Sequence, residues 1–228
     1  MLFRSDACKN DFDKTLPEMA CKSITVPNLT DSRIIRQRAL DIDNADNEYK
    51  SFVSSKSFKI ITVCRTTIKV KGLDRIVACA SELKKRGHDF LWYIIGDGED
   101  RDALLDMIKC NDVADRVASI GQRMNPHPFI SAADVMCMPS RYEGKPMTIT
   151  ESMILGTPPI VTEYLSAREQ INDGVDGIVV ANEDDAIVVP LEKCMSDREY
   201  LHQIKAHVVY GEYGNQHQVA DIEKTLFC

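Results

Sequence analysis

The stretch Ser140–Gly156, SRYEGKPMTITESMILG, sets two carboxylates, Glu143 and Glu151, on either side of a predicted helix start, with seven residues between them. Pro146 suits the first position of that helix and Gly156 its end. Met147, Thr148, Ile149, Thr150, Met153, Ile154 and Leu155 make the helix amphipathic. Its first backbone amides, around Met147 and Thr148, have no partner inside the helix and are free to point at an anion. Glu143 then lies in the loop facing the anion, and Glu151 more than a turn into the helix. A phosphate held at a helix N-terminus between two hydrogen-bond-accepting carboxylates suits a ligand with hydroxyls on both sides of its phosphates, and a nucleotide sugar is such a ligand. The acid and nucleophile of a glycosidase are the other reading of two carboxylates, but a diphosphate cradle between them serves no purpose in that chemistry.

Two cations belong to the same picture. Arg65 follows a predicted strand and Lys71 precedes the next helix, so both converge at the carboxyl edge of the strands. With the amides of Met147 and Thr148 they would stabilise a diphosphate leaving group without a metal. No carboxylate cluster for a divalent ion is evident, and no cofactor is expected. Gly96-Asp97-Gly98 lacks the full G-x-G-x-x-G pattern, which disfavours a nicotinamide site, and a tight turn explains it as well as ligand contact does. Arg123 and Met124 sit in a loop that reads almost equally as ordinary surface. His127, between Pro126 and Pro128, reads as structural, in a turn entering a helix. Arg141 either meets phosphate or pairs with a carboxylate.

The elements that must carry these residues alternate in type. Apolar strands are predicted at Phe58–Cys64, Phe90–Ile95, Val117–Ile120, Asp134–Met138, Pro159–Thr162 and Gly177–Val180. Between them run amphipathic helices: Gly72–Arg86 carries Leu73, Ile76, Val77, Ala80 and Leu83 on one face, and another ends near Lys109. Further helices are expected at Glu183–Met195, Asp197–Tyr210 and Gln216–Leu226. This alternation predicts an α/β fold, a doubly wound, Rossmann-like parallel sheet with helices on both faces and ligands at the carboxyl ends of its strands. Residues 1–57 read as an N-terminal hinge and linker, and residues 58–228 as the ligand-binding domain. Within the first part Met1–Lys22 is polar and weakly patterned, Ser23–Val26 is a short strand, and Asn28–Asp31 caps a helix at Ser32–Leu40. Asp41–Ser57 looks like an exposed acidic and serine-rich connector.

Composition narrows the class. The 228 residues are 44% hydrophobic and 28% charged, ordinary for a globular chain, and no apolar run is long enough to span a bilayer. A net charge of −7 argues against nucleic acid as a partner. Eight cysteines show no metal-ligand spacing, and several lie in apolar patterns, as buried free thiols in a reducing compartment do. A cytoplasmic protein is expected.

Five blocks in fixed order carry a family resemblance: ITVCRTTIKVKGLDRIV at 61–77, IIGDGEDRDALL at 94–105, GQRMNPHPFISAADVMCMPS at 121–140, the two-glutamate stretch, and EQINDGVDGIVV at 169–180. Together they resemble the retaining GT-B glycosyltransferases of the group 1 type (family 4), specifically the C-terminal, donor-binding half of that fold and the segment leading into it. The resemblance implies that Arg65 and Lys71 meet the diphosphate, and that Glu151 accepts from the ribose hydroxyls. Glu143, with the backbone of Gly144, Lys145 and Pro146, would orient a hexose. Arg123 and Met124 would border the nucleotide base. It further implies a UDP- or GDP-linked sugar as partner, metal-independent transfer, and an acceptor glycan or lipid bound through an N-terminal domain that these residues do not match. In the full enzyme, attachment would be at most peripheral to the membrane. The strand at Ser23–Val26 belongs to the family's interdomain hinge, so self-association through that edge is an expectation. A non-catalytic nucleotide-sugar-binding or regulatory subunit remains an alternative; a GT-B sugar-nucleotide epimerase is disfavoured by the intact Glu143 and Glu151.

Overall fold

The computed structural model describes residues 1–43, 45–210, 212–219 and 222–223, with backbone alone at 209 and 210. The β-branched and aromatic runs become eight strands: β1 (Leu2–Phe3), β2 (Ile24–Thr25), β3 (Phe58–Val63), β4 (Phe90–Ile95), β5 (Val117–Gly121), β6 (Val135–Met138), β7 (Pro159–Thr162) and β8 (Ile178–Val180). The last six form one parallel sheet in the order β5-β4-β3-β6-β7-β8. Its central strands are apolar along their whole length because a parallel sheet is covered on both faces, and Ile60, Ile61, Trp92, Ile94, Val135 and Cys137 are fully buried. The one polar group Trp92 brings inside is satisfied: its indole N–H donates to Thr62 Oγ1 at 3.0 Å, and that hydroxyl donates to Cys137 O at 2.6 Å.

Helices occupy the crossovers. They are α1 (Asp6–Thr15), α2 (Ser32–Leu40), α3 (Asn47–Ser54), α4 (Ile68–Lys71), α5 (Leu73–Lys85), α6 (Arg101–Cys110), α7 (His127–Ala132), α8 (Met147–Ile154), α9 (Ala167–Gln170), α10 (Val188–Ser196) and α11 (Arg198–Tyr210). The face of α5 anticipated from its spacing, Leu73, Ile76, Val77, Ala80 and Leu83, is the face it buries. α5 packs on α6 and α10, whereas α7 gathers α2, α3 and α8 around it. Among the described residues no helix is long and apolar enough to cross a membrane. Two ends differ from the sequence expectation. The helix placed at Glu183–Met195 starts only at Val188, because Asp184 ahead of it is held by Arg75 and Arg141 in a turn. Of the helix placed at Gln216–Leu226, Gln216–Gln218 forms a short 3-10 turn, and residues 220, 221 and 224–226 lie outside the described residues.

The N-terminal fifty-seven residues are more structured than their polarity suggests. β1 and β2 pair in parallel, with Ile24 N donating to Met1 O and Val26 N to Phe3 O, so the strand expected at Ser23–Val26 has a neighbour on one side. Between them Ser5 caps α1, and a 3-10 turn follows at Pro17–Lys22. α2 is as anticipated, with Asp31 accepting from Arg33 N at its cap.

The reading of Asp41–Ser57 as an exposed connector is corrected. Asp46 caps α3, accepting from the amides of Glu48 and Tyr49, and Phe52 on that helix is fully buried in the core of the main sheet. Its ring lies 4.7 Å from Tyr93 and 6.0 Å from Phe129, centroid to centroid, and Tyr49 meets Phe129 edge-on at 5.2 Å. Two aromatic residues in an otherwise polar, serine-rich stretch are a weak periodic signal, which is why the helix escapes a pattern-based reading. Truncating a fully buried phenylalanine typically costs about 3 to 5 kcal/mol. Phe52→Ala is therefore expected to lower unfolding stability by about 3 kcal/mol or more in urea denaturation; a loss under about 1 kcal/mol would return residues 47–54 to the status of a linker.

Candidate functional site

The chain leaves β3 outward to β4 and β5, then returns across it to β6. That reversal opens a crevice beyond the carboxyl ends of β3 and β6. At its floor Gly72, with φ +65°, joins α4 to α5 so closely against the end of β6 that any Cβ there would lie 2.0 Å from Pro139 O. This approach sets Lys71 against Glu143. Lys71 Nζ is 2.7 Å from Glu143 Oε1, and Ser140 Oγ donates to the same oxygen at 2.8 Å. The two side chains are only 20% and 9% exposed, so little water screens them, and the ammonium keeps further protons for another acceptor.

The backbone that carries Glu143 is pinned. Arg75, itself buried, donates to Pro139 O at 3.1 Å; Thr162 Oγ1 donates to Ser140 O at 2.5 Å; Arg141 N donates to Val70 O at 2.9 Å. Of the two roles open to Arg141, pairing is the one observed: its guanidinium takes Asp74 and Asp184, each at 2.8 Å. Burial opposes charge on Asp74, but Arg141 and Lys69 outweigh it and hold the carboxyl below its usual range.

Pro146 caps α8 instead of opening it, with φ −68° and ψ 125°, and Met147 is the first helical residue. No side chain caps this helix, and the amides of Met147 and Thr148 have no partner among the described residues. The carbonyls of the preceding loop are engaged from elsewhere: Gly144 O accepts from Ser166 Oγ, Lys145 O from Asn28 Nδ2 at 3.5 Å, and Pro146 O from Gln170 Nε2 at 3.1 Å. Acceptors thus turn away and the N–H groups remain, as an anion requires.

A cleft of about 400 Å³ brings Arg65, Gly96, Asp97, Gln122, Arg123 and Thr148 together. Arg65 is exposed and makes no ion pair among the described residues. Gly96, at φ +145°, has its missing Cβ 1.8 Å from Cys64 O, so the close approach of two loops requires this glycine whether or not a ligand binds. Burial pushes the adjoining Cys64 thiol up to about 12, which keeps it neutral and unreactive. Arg123 is on the cleft wall, but its guanidinium is committed to Asp46 Oδ2 at 2.8 Å. Burial works against the Asp46 carboxylate, yet the Tyr49 amide and Arg123 hold it below the usual range.

Other expected residues lie apart from this cleft. Met124 is 94% exposed and borders a neighbouring hollow with Asp46, Tyr49 and Asn125. Lys145 and Met147 line a smaller hollow of about 190 Å³ shared with Asn28, Thr150, Gln170 and Asn215, on the side of the N-terminal segment. Two contributors escape the sequence reading: Ser140 was within the motif and detectable there, and Asp46 carried no signal. His127, read as structural, is buried at the start of α7 with Nε2 3.6 Å from Glu151 Oε2. Among the described residues no group of three or more His, Cys, Asp and Glu side chains is placed to hold a metal ion.

Comparison with known proteins agrees with this architecture. The family model described as glycosyl transferases group 1 matches residues 44–208. Alpha-D-kanosaminyltransferase of Streptomyces kanamyceticus is 34% identical over 114 residues, 48% of this chain and 29% of that protein. The O-antigen biosynthesis glycosyltransferase WclY of Escherichia coli is 32% identical over 99 residues, 43% and 27% of the two chains. Among solved structures, Anabaena HepE in complex with UDP-glucose superposes with a TM-score of 0.83 at 18% identity, covering 99% of this chain and 62% of that one. WaaG, a glycosyltransferase involved in lipopolysaccharide biosynthesis, gives 0.79 at 18% identity, with 98% and 60% covered. The chain thus spans less than two thirds of these relatives. With the family match over most of its length and the sheet of the GT-B structures, the chain belongs to the group 1 glycosyltransferases.

Proposed function

We propose that residues 1–228 form the donor-binding half of a retaining glycosyltransferase, holding a nucleotide-diphosphate sugar whose hexose passes to an acceptor hydroxyl. The observation that carries this reading is the little-exposed Lys71–Glu143 pair, with Glu143 in the loop that runs into the uncapped start of α8, whose Thr148 lines a cleft with Arg65. The complex of the structural neighbour HepE with UDP-glucose supports the choice of ligand.

In this reading the diphosphate lies between Arg65, Lys71 and the amides of Met147 and Thr148. Arg65 is free to bind it, and Lys71 uses protons not taken by Glu143. Glu151, one turn beyond Thr148 on the same helix face, accepts from the ribose hydroxyls. Glu143, fixed by Lys71 and Ser140, faces the hexose with the backbone of Gly144, Lys145 and Pro146. As the bond between the anomeric carbon and the diphosphate oxygen breaks, negative charge grows on the diphosphate and positive character on the carbon. The fixed cations and amides stabilise the former without reorganising at that moment. The acceptor hydroxyl attacks from the face the diphosphate leaves, its proton passing to the departing diphosphate oxygen as the new glycosidic bond forms, and the acceptor is held outside these residues. Arg123, turned toward Asp46, shapes the wall beside the base through its backbone and alkyl stem, and exposed Met124 covers the base only after moving.

Removing one charged contact to a desolvated phosphate or hydroxyl cluster costs about 2 to 5 kcal/mol. Lys71→Ala and Glu151→Ala, each folded by thermal melting, are expected to weaken UDP or GDP binding by that amount in titration calorimetry. Wild-type affinity in both would place the nucleotide elsewhere. Since Arg65, Lys71 and a helix N-terminus neutralise the diphosphate, donor affinity is expected to be the same in excess EDTA, and an EDTA-dependent Kd would sink the metal-free scheme. Sugar transfer by the polypeptide alone is expected to be negligible, because holding two substrates in register is worth roughly 7 to 11 kcal/mol and only the donor is held. Robust transfer would reveal an acceptor site within these 228 residues.

A further inference from the structure

The buried imidazole of His127 has one nitrogen anchored and the other unspent. Asn125 Nδ2 donates to Arg38 O at 2.8 Å and Asp41 O at 3.0 Å, which fixes the amide so that its oxygen faces the ring. Nδ1 of His127 lies 2.8 Å from that oxygen and must therefore carry a proton. Nε2 is fully buried with no hydrogen-bond partner among the described residues, and the nearest charged atom is Glu151 Oε2 at 3.6 Å. The side chains of His127 and Glu151 are 3% and 14% exposed. Neither oxygen of Glu151 has a hydrogen bond among the described residues, so its carboxylate is oriented by this contact or by none. Pro126, next to His127, and Thr148, one turn before Glu151, both line the cleft.

We propose that His127 is a positioning residue for Glu151. The ring backs one carboxylate oxygen and turns the other to the cleft, so that the protein binds a ribose carrying both its hydroxyls in preference to one lacking them. This rests on the donor-site reading of Glu151. Because the Nδ1 proton is spent on Asn125, Nε2 donates to Oε2 only from the imidazolium form of the ring, in which the contact across the present 3.6 Å is charge-assisted. The anchor extends further, since the Asn125 amide hangs from the C-terminal end of α2. A helix of the N-terminal segment thereby orients a side chain of the nucleotide cleft through Asn125, His127 and Glu151 in series.

The test compares UDP, or GDP if the wild-type chain binds it more tightly, with the 2′,3′-dideoxy form of the same nucleotide, by titration calorimetry. His127→Phe keeps the buried volume and removes the polar contact. It is expected to weaken the parent nucleotide about tenfold or more while changing the dideoxy form by about twofold at most. His127→Gln, whose amide can donate to Glu151, is expected to keep most of the parent affinity. If His127→Phe does not fold, Asn125→Ala, which frees the ring without touching the core, is expected to give the same ribose-selective loss. Equal weakening of both nucleotides, no weakening, or a Gln variant as impaired as Phe would overturn the assignment. A wild-type chain that binds parent and dideoxy forms alike would instead remove Glu151 from the ribose, and with it the role of His127; preference in the wild type that survives in His127→Phe would remove His127 alone.

Discussion

Everything at the candidate site hangs on the contact between Gly72 and the carbonyl of Pro139. The strand order forces β3 and β6 to lie side by side while their continuations diverge, and only a residue without a side chain lets the corner after β3 rest on the end of β6. Lys71 precedes that glycine, and Glu143 follows that proline within one turn of loop. Their ion pair is therefore a product of backbone packing, and a side chain at 72 would clash with the Pro139 carbonyl that packing rests on.

The ion pairs of this chain divide by what surrounds them. Arg33 with Asp31 or Arg168 with Glu163 lie toward solvent, where screening and side-chain entropy leave such contacts worth little. Arg75, Asp184, Arg141 and Asp74 form a partly buried network whose task is mechanical: it holds the backbone from Pro139 to Arg141. The Lys71–Glu143 pair differs again. A buried pair is weak evidence for stability, since desolvation consumes much of the Coulomb energy. What it supplies is charge already in place, which suits a site where charge must be met without rearrangement.

The N-terminal segment is part of the same design. α3 supplies Phe52 to the core and Asp46 to Arg123; α2 holds Asn125; Asn28 takes the Lys145 carbonyl. Apart from Phe52, each contact reaches from a stretch of low hydrophobic periodicity to a loop at the carboxyl edge of the sheet. The residues that line the cleft all fall within 63–148, and the N-terminal segment braces the loops that carry them.

What the sequence determined by itself was what local chemistry dictates. Runs such as FKIITV and FLWYII are apolar at every position, which only a strand covered on both faces tolerates, and the spacing of Leu73, Ile76, Val77, Ala80 and Leu83 names a helix face without knowledge of its neighbour. The glutamate stretch likewise announced a helix start, found one residue later at Met147 and uncapped. Tertiary structure decided which charges meet. Lys71 and Glu143 are 72 positions apart, and Arg123 and Asp46 are 77. No propensity or period encodes such pairings, because they follow from strand order and from the side on which each crossover packs. The sequence could offer Arg123 and Arg141 as loop residues beside the motifs and His127 as a structural residue in a turn. Only the packed chain turned Arg123 to Asp46, Arg141 to Asp74, and His127 to Glu151, since each side chain takes the nearest partner that desolvation leaves it.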